Sequence, residues 1–458
     1  MRNPLANEIV TTDLTNQEIF DLCIQTNFWT WSKQTNIDPI AVISAKGVYF
    51  WDISGKKYLD FNSMVMCVNI GHEDDRVIRA MNDQLFELPF AGPRMATKPR
   101  ALLGKALKTI LPVELNHFLY TLGGAEANEN AIKLARSYTG KFKILARYRS
   151  YHGATYGAIA LTGDPRRVAW EPSVMMGVVH FLDPFRYRST FHQHNPEISE
   201  EDFTKDYLDH LEEIIMYEGP ETIAAIMIET VTGTNGIIIP PDGYLAGVRE
   251  LCDRYNIVLI CDEVMSGFGR TGEWFAFDHW NVVPDIVTMA KGLTSGYAPL
   301  GAIAMKEEIA HSFDHKVYQG GLTYNGHAVS LAAAFAVINV MKEDRLVDRS
   351  KERGVLLTEL LKKMAEKHPC VGDVRSIGLF GTLELVKNRK TKEPLSPFNE
   401  NNALMIKIRN YCIDHGLYIN IHWNKILIIP PLIITEEQLQ QGFEVIDKAL
   451  EIGDAEIQ

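Results

Sequence analysis

The chain has 458 residues, 46% of them hydrophobic and 23% charged, and a formal net charge of −12. That length exceeds what one small core holds and predicts two or three substructures. An acidic chain without a basic block is a poor fit to nucleic acid or an anionic membrane, while a local cationic pocket for a small anion stays compatible with it.

Residues 1–40 mix polar residues with Phe28, Trp29 and Trp31, a segment that would dock on the body or cover something. The opening MRNPLANEIVTTDLTNQEIF has no apolar signal core, and no apolar run approaches a membrane span. Six cysteines, at 23, 67, 252, 261, 370 and 412, form no CxxC pair. They read as reduced thiols in a cytoplasmic protein. From 41 to 62, AVISAKGVYFWDISGKKYLDF reads as two or three short strands turning at SGKK.

From about 75 the rhythm becomes helical, in DDRVIRAMNDQLFEL and PRALLGKALKTIL. Short apolar strands follow: HFLYTL, KILARY, IAAIMIE, IVLICDE, DIVTMA and LGAIAM. They alternate with helical stretches such as EANENAIKLARSYTG and LAGVRELCDRYN, the pattern of a mostly parallel sheet covered on both faces. Residues 187–206 read as a polar insertion. From about 335 helices dominate, then SIGLFGTLELV and KILIIPP read as strands of a smaller α+β unit. The expected division is an N-terminal segment, 1–74, joining the small domain; a large domain, 75–334; and a C-terminal small domain, 335–458.

Ligands of open α/β sheets sit outside the carboxyl ends of the strands. After HFLYTL comes GGAEAN, opening a helix whose first free N–H groups suit an anion such as phosphate. After KILARYRS come Tyr151 and His152, after IAAIMI comes Glu229, after IVLIC comes Asp262, and after IVTMA comes Lys291. Each alone has an ordinary reading: a strand-to-helix turn, core packing, a helix cap, a solvated lysine. Together they supply a phosphate seat, a stacking ring, an acid for a protonated ring nitrogen and an imine-forming lysine, the set that pyridoxal phosphate requires. No G-x-G-x-x-G opens a helix after the first strand, against a dinucleotide oxidoreductase. His311 and His315 have helical spacing, but HSFDH lacks the acid of a zinc motif, and no metal is expected.

From about residue 40 to 450 the chain resembles the class III, or omega, aminotransferases, through a strand–DEV–GxGRTG segment followed by a lysine in AKG. The resemblance implies fold type I, with a mostly parallel seven-stranded sheet in the large domain plus a smaller α+β domain. It also implies Lys291, Asp262 and Tyr151 as the catalytic set. Lys291 would be the Schiff-base lysine, Asp262 would pair with the pyridine nitrogen, Val264 would pack on the ring, and Tyr151 would stack on it. Gly124, Ala125, His152 and Glu229 would complete the cofactor site. Thr323 would reach the phosphate in the partner subunit of a homodimer, with a tetramer left open.

Four positions depart from the family pattern. The phosphate turn carries Ala125 where the family usually has serine. Asn420 stands where many members place a carboxylate-binding arginine, and Thr234 where the glutamate paired with it would be. Ala154 replaces a further arginine after YHG. Arg94, Arg149, Arg166, His422 and Lys425 are then the candidates for holding an anion, with Trp29, Trp31, Phe90 and Trp423 as pocket walls. Resemblance is strongest to enzymes that transfer the amino group of taurine to 2-oxoglutarate or pyruvate. The alternatives are an omega-amino acid or amine:pyruvate enzyme acting on β-alanine, 4-aminobutyrate or diamines, and an aminomutase.

Overall fold

The computed structural model describes residues 12–35 and 37–457. Most of the opening stretch read above for a targeting core lies outside the described residues. No described helix is long and apolar enough to cross a membrane.

A seven-stranded sheet forms the centre, in the order Leu115–Thr121, Gly301–Lys306, Ile286–Met289, Val258–Asp262, Ile223–Glu229, Lys143–Arg147 and Val178–Phe181. Only Gly301–Lys306 runs against its neighbours; the other pairs are parallel. Every residue of Ile223–Glu229 and Val258–Asp262 is buried, because both sheet faces are covered. That is why these strands read as unbroken apolar runs rather than alternating ones. The helix Gly124–Thr139 lays Ala127, Ala131, Ile132, Leu134 and Ala135 on the sheet and ends at Gly140, whose φ of 70° is the left-handed cap that glycine favours.

The strand Val178–Phe181 at the sheet edge is absent from the sequence reading. So is the 19-residue helix Glu200–Glu218, which starts inside the supposed polar insertion. Its Ser199 cap and three acids in the first turn are a helix-start signal, and the polar composition concealed it.

A second, antiparallel sheet joins Val371–Ile377, Phe380–Asn388, Lys425–Ile428 and Asn420–His422. A third contains Val42–Lys46, Tyr49–Asp52 and Lys57–Asp60, so the two or three short strands expected between 41 and 62 number three. Leu417–Tyr418 closes it in parallel, so the two ends of the chain share one sheet. Arg270 of the GxGRTG turn, 1% exposed, ties these parts to the centre. It donates to the carbonyls of Leu379 (3.0 Å) and Pro430 (2.5 Å) and to Asn69 Oδ1 (2.9 Å) and Ser63 Oγ (3.3 Å).

Candidate active site

The register of the parallel strands sets Glu229 beside Asp262 and Asp262 beside Thr288, so consecutive strands end level with one another. Beyond these ends lies a cavity of about 500 Å³ whose lining includes Gly124, Ala125, Tyr151, Asp262, Val264 and Lys291. His152, Glu229, Ala154 and Thr234 also line it.

Asp262 is buried and its carboxylate is oriented on both oxygens. Oδ2 accepts from Asn128 Nδ2 at 2.8 Å and faces His152 Nδ1 at 2.8 Å; Oδ1 accepts from the Val264 N–H at 3.0 Å. Asn128 Nδ2 also bonds the His152 carbonyl at 2.7 Å. Asn128 lies one helical turn after Gly124, inside the GGAEAN turn, and was missed as a partner of Asp262. Its i, i+4 spacing from Gly124 is the signal that would have found it. Glu229 faces the backbone: Oε1 accepts from Tyr151 N–H and Oε2 from Gly233 N–H, each at 2.9 Å. Burial raises the Glu229 carboxyl pKa, His152 counteracts it, and Asp262 adds to it.

Lys291 leaves its strand in the left-handed region, at φ 44°, a strained conformation for a non-glycine residue. Gly292 behind it is needed sterically, since a Cβ there would lie 2.5 Å from Asn69 Nδ2 and 2.9 Å from Phe268 Cβ. Asn69 is one of the groups Arg270 holds, so the GRTG motif reaches the lysine through it. At the other wall no side chain caps the helix Gly124–Thr139. A Cβ on Gly124 would meet Val264 Cγ1 at 2.8 Å, so glycine lets the helix start close on that valine.

Tyr151 carries the Arg166 guanidinium over its ring at 3.9 Å and meets Trp31 edge-on at 6.0 Å. Arg166 Nη2 donates to Thr234 Oγ1 at 3.0 Å. Asn420 and His422 lie on the strand Asn420–His422, outside the cavity lining. Burial, with Arg166 and Lys425 nearby, pushes the His422 pKa down to about 3, so its ring is neutral. Trp29, half-buried, and Phe90 and Arg94 also lie outside the lining; Phe90 packs on Tyr324 and His327 instead. Thr323 is exposed beside Tyr324.

These residues fit pyridoxal phosphate. An uncapped helix N-terminus offers free N–H groups to a phosphate, a buried and oriented carboxylate suits a protonated ring nitrogen, and an aromatic ring and a lysine border the same space. A parallel sheet with such a site at its carboxyl edge is that of a fold type I pyridoxal-phosphate-dependent transferase.

The family model described as aminotransferase class-III matches residues 31–450. The chain is 33% identical to the putrescine–pyruvate aminotransferase of Pseudomonas aeruginosa, over 92% of either protein. It is 34% identical to the taurine–pyruvate aminotransferase of Bilophila wadsworthia, over 91% of this chain and 93% of that one. Among solved structures, taurine:2-oxoglutarate aminotransferase from Bifidobacterium kashiwanohense, in complex with PLP and glutamate, superposes with a TM-score of 0.94. It is 41% identical, covering 98% of this chain and 100% of that one. The chain belongs to the class-III aminotransferases, enzymes that use pyridoxal phosphate to exchange amino groups between amines and 2-oxo acids.

Proposed function

We propose that this aminotransferase takes the amino group of a terminal amine, taurine above all, and gives it to 2-oxoglutarate, releasing sulfoacetaldehyde and L-glutamate in two half-reactions. The observation that carries the reading is the full-length likeness to the Bifidobacterium taurine:2-oxoglutarate enzyme, higher in identity than the likeness to the putrescine enzyme. Thr234 and Asn420 support it, because both members of the usual arginine–glutamate pair are replaced together.

Pyridoxal phosphate, when bound, supplies an electron sink for the carbon that loses its proton. The chain's residues do the rest. Gly124 and Ala125 offer backbone N–H groups to the phosphate. Asp262, fixed by Asn128 and His152, would keep the ring nitrogen protonated, and Tyr151 and Val264 would pack against the ring. Lys291, which borders the cavity, would hold the cofactor, and its Nζ would serve as general base and acid for the proton that moves. Glu229, by holding Tyr151 N–H, positions the ring that stacks.

Thr323 is assigned to the partner subunit's phosphate in a homodimer, which its exposure supports. The division at 75 and 335 is supported by the sheet that the N-terminal strands share with Leu417–Tyr418. Buried, unpaired Cys252, Cys261, Cys370 and Cys412 support a cytoplasmic setting.

The test is a half-reaction. One amine at a time is added to the loaded enzyme without oxo acid, and the visible absorbance of the cofactor is followed. Taurine should bleach it and 2-oxoglutarate restore it. Bleaching by diamines alone, with restoration by pyruvate alone, would replace the reading by the amine:pyruvate one that the putrescine enzyme favours.

A further inference from the structure

The geometry points to a second ligand site, apart from the transamination cavity, that binds a phosphate ester carried on a flat ring, with Arg149 as its anchor. A cavity of about 350 Å³ opens beside the turn 163–167, and none of its lining residues borders the larger cavity at Lys291. Arg149 and Trp423, both candidates in the sequence, border this second cavity instead.

The carboxylates around it are already taken. Asp183 accepts from the Arg149 N–H at 2.8 Å and stands 3.7 Å from Arg147 Nε, both side chains being buried. Asp164 holds Arg166 and accepts from Asn235 Nδ2 at 3.1 Å. Arg167, also on the wall, is matched by Glu171 at 2.8 Å. The Arg149 guanidinium is left over. Among the described residues it makes no side-chain hydrogen bond and no ion pair, and it lies against the Phe185 ring at 5.1 Å.

A second donor is spare. Arg188, which lines the same cavity, binds Glu384 through Nε and the Lys392 carbonyl through Nη1 at 2.9 Å. Its Nη2 is buried and bonds nothing among the described residues. Lys425 registers the resulting excess of positive charge. Burial lowers its ammonium to about 7, Glu384 counteracts, and Arg149, Arg375 and Arg188 lower it further. A phosphate dianion accepts from two guanidinium groups and offsets that charge.

The rest of the wall is aromatic. Trp423 and Phe398 meet at 4.5 Å, and Phe398 is 63% exposed. Trp423 is held at φ 56°, a region that a bulky residue seldom occupies, with its N–H on Asn401 Oδ1 at 2.8 Å. A flat ring laid against Phe398 gives that side chain the apolar contact it lacks. Cations at one wall and aromatics at another select an anion that carries a ring over a bare one.

The experiment titrates the intact, cofactor-loaded enzyme calorimetrically with phenyl phosphate, inorganic phosphate and phenol. Phenyl phosphate should bind at least about tenfold more tightly than inorganic phosphate, and phenol should give no heat. The visible absorbance of the cofactor should stay constant throughout, since the probe sits outside its cavity. Arg149→Met, which removes no side-chain hydrogen bond, should weaken phenyl phosphate about tenfold or more. Phe398→Ala should bring phenyl phosphate down to the affinity of inorganic phosphate. An affinity unchanged in Arg149→Met, inorganic phosphate binding as tightly as its phenyl ester, or no heat from either anion overturns the assignment. So does a cofactor band that shifts with the same midpoint as the heat, because the probe would then occupy the transamination cavity.

Discussion

Asp262 Oδ2 and His152 Nδ1 face each other across 2.8 Å, both side chains buried. A ring N–H at that distance donates to the carboxylate. With Asn128 on the same oxygen, the acid cannot swing away from the cavity. Asp262→Asn should keep the fold, read by circular dichroism, and lose transamination by about a hundredfold to a thousandfold, the usual cost of removing one oriented electrostatic group. A near-normal rate would refute the pairing of Asp262 with the ring nitrogen.

Lys291 sits at φ 44°, and Gly292 behind it packs close on Asn69. Lys291→Ala should abolish turnover and leave the cofactor loosely held. Dialysis followed by the visible spectrum measures the second effect directly, and retained turnover would remove Lys291 from its proposed role.

Glu384 is fully buried and accepts from Arg188 and, at 2.9 Å, from Arg375, with Lys425 close by. Burial alone would raise its pKa; Arg375, Lys425 and Arg188 outweigh that and hold it at about 2. Its folded pKa lies below the unfolded one, so its stabilisation is present above the ordinary carboxyl value of 4.5 and is lost as pH falls towards about 2. Glu384→Gln strands buried cations and should cost about 3–5 kcal/mol in urea unfolding near neutral pH.

Two histidines set a separate pH dependence. Burial, with Arg167 nearby, lowers His180 to about 4, and its Nε2 faces the Leu161 carbonyl at 3.2 Å. His422 is lowered further, to about 3. Below the ordinary histidine value of 6.5 the unfolded chain takes up protons that these folded rings refuse, so stability falls as pH drops through that window. His180→Gln or His422→Gln should flatten the slope of urea midpoint against pH, and an unchanged slope would show that neither ring is kept neutral.

What could be read from the sequence was whatever the chain places in order along the strands. Glu229, Asp262 and Lys291 each close an apolar run, so their convergence follows from the parallel sheet alone. The edge strand Val178–Phe181 was missed because four residues between turns give no usable period. The contact of Arg166 with Thr234 spans 68 positions. It depends on how the turn after Asp164 folds over the strand ends, which no local pattern encodes. For the same reason Asn420 marks a missing arginine and discloses nothing about its spatial neighbours.

Arg270 has a bearing on motion. One guanidinium grips Ser63, Asn69, Leu379 and Pro430, and the backbone around it is laced across as well, with Ile429 N–H on the Phe61 carbonyl and Leu432 N–H on the Asn69 carbonyl. Those stretches open together or not at all. The amides of Ile429 and Leu432 should therefore exchange with deuterium slowly and at one common rate, while the helix Asn16–Thr26, which buries no residue, exchanges fast. Breathing then belongs to the segment carrying Trp31, and the stretches that Arg270 joins behave as a single rigid plate.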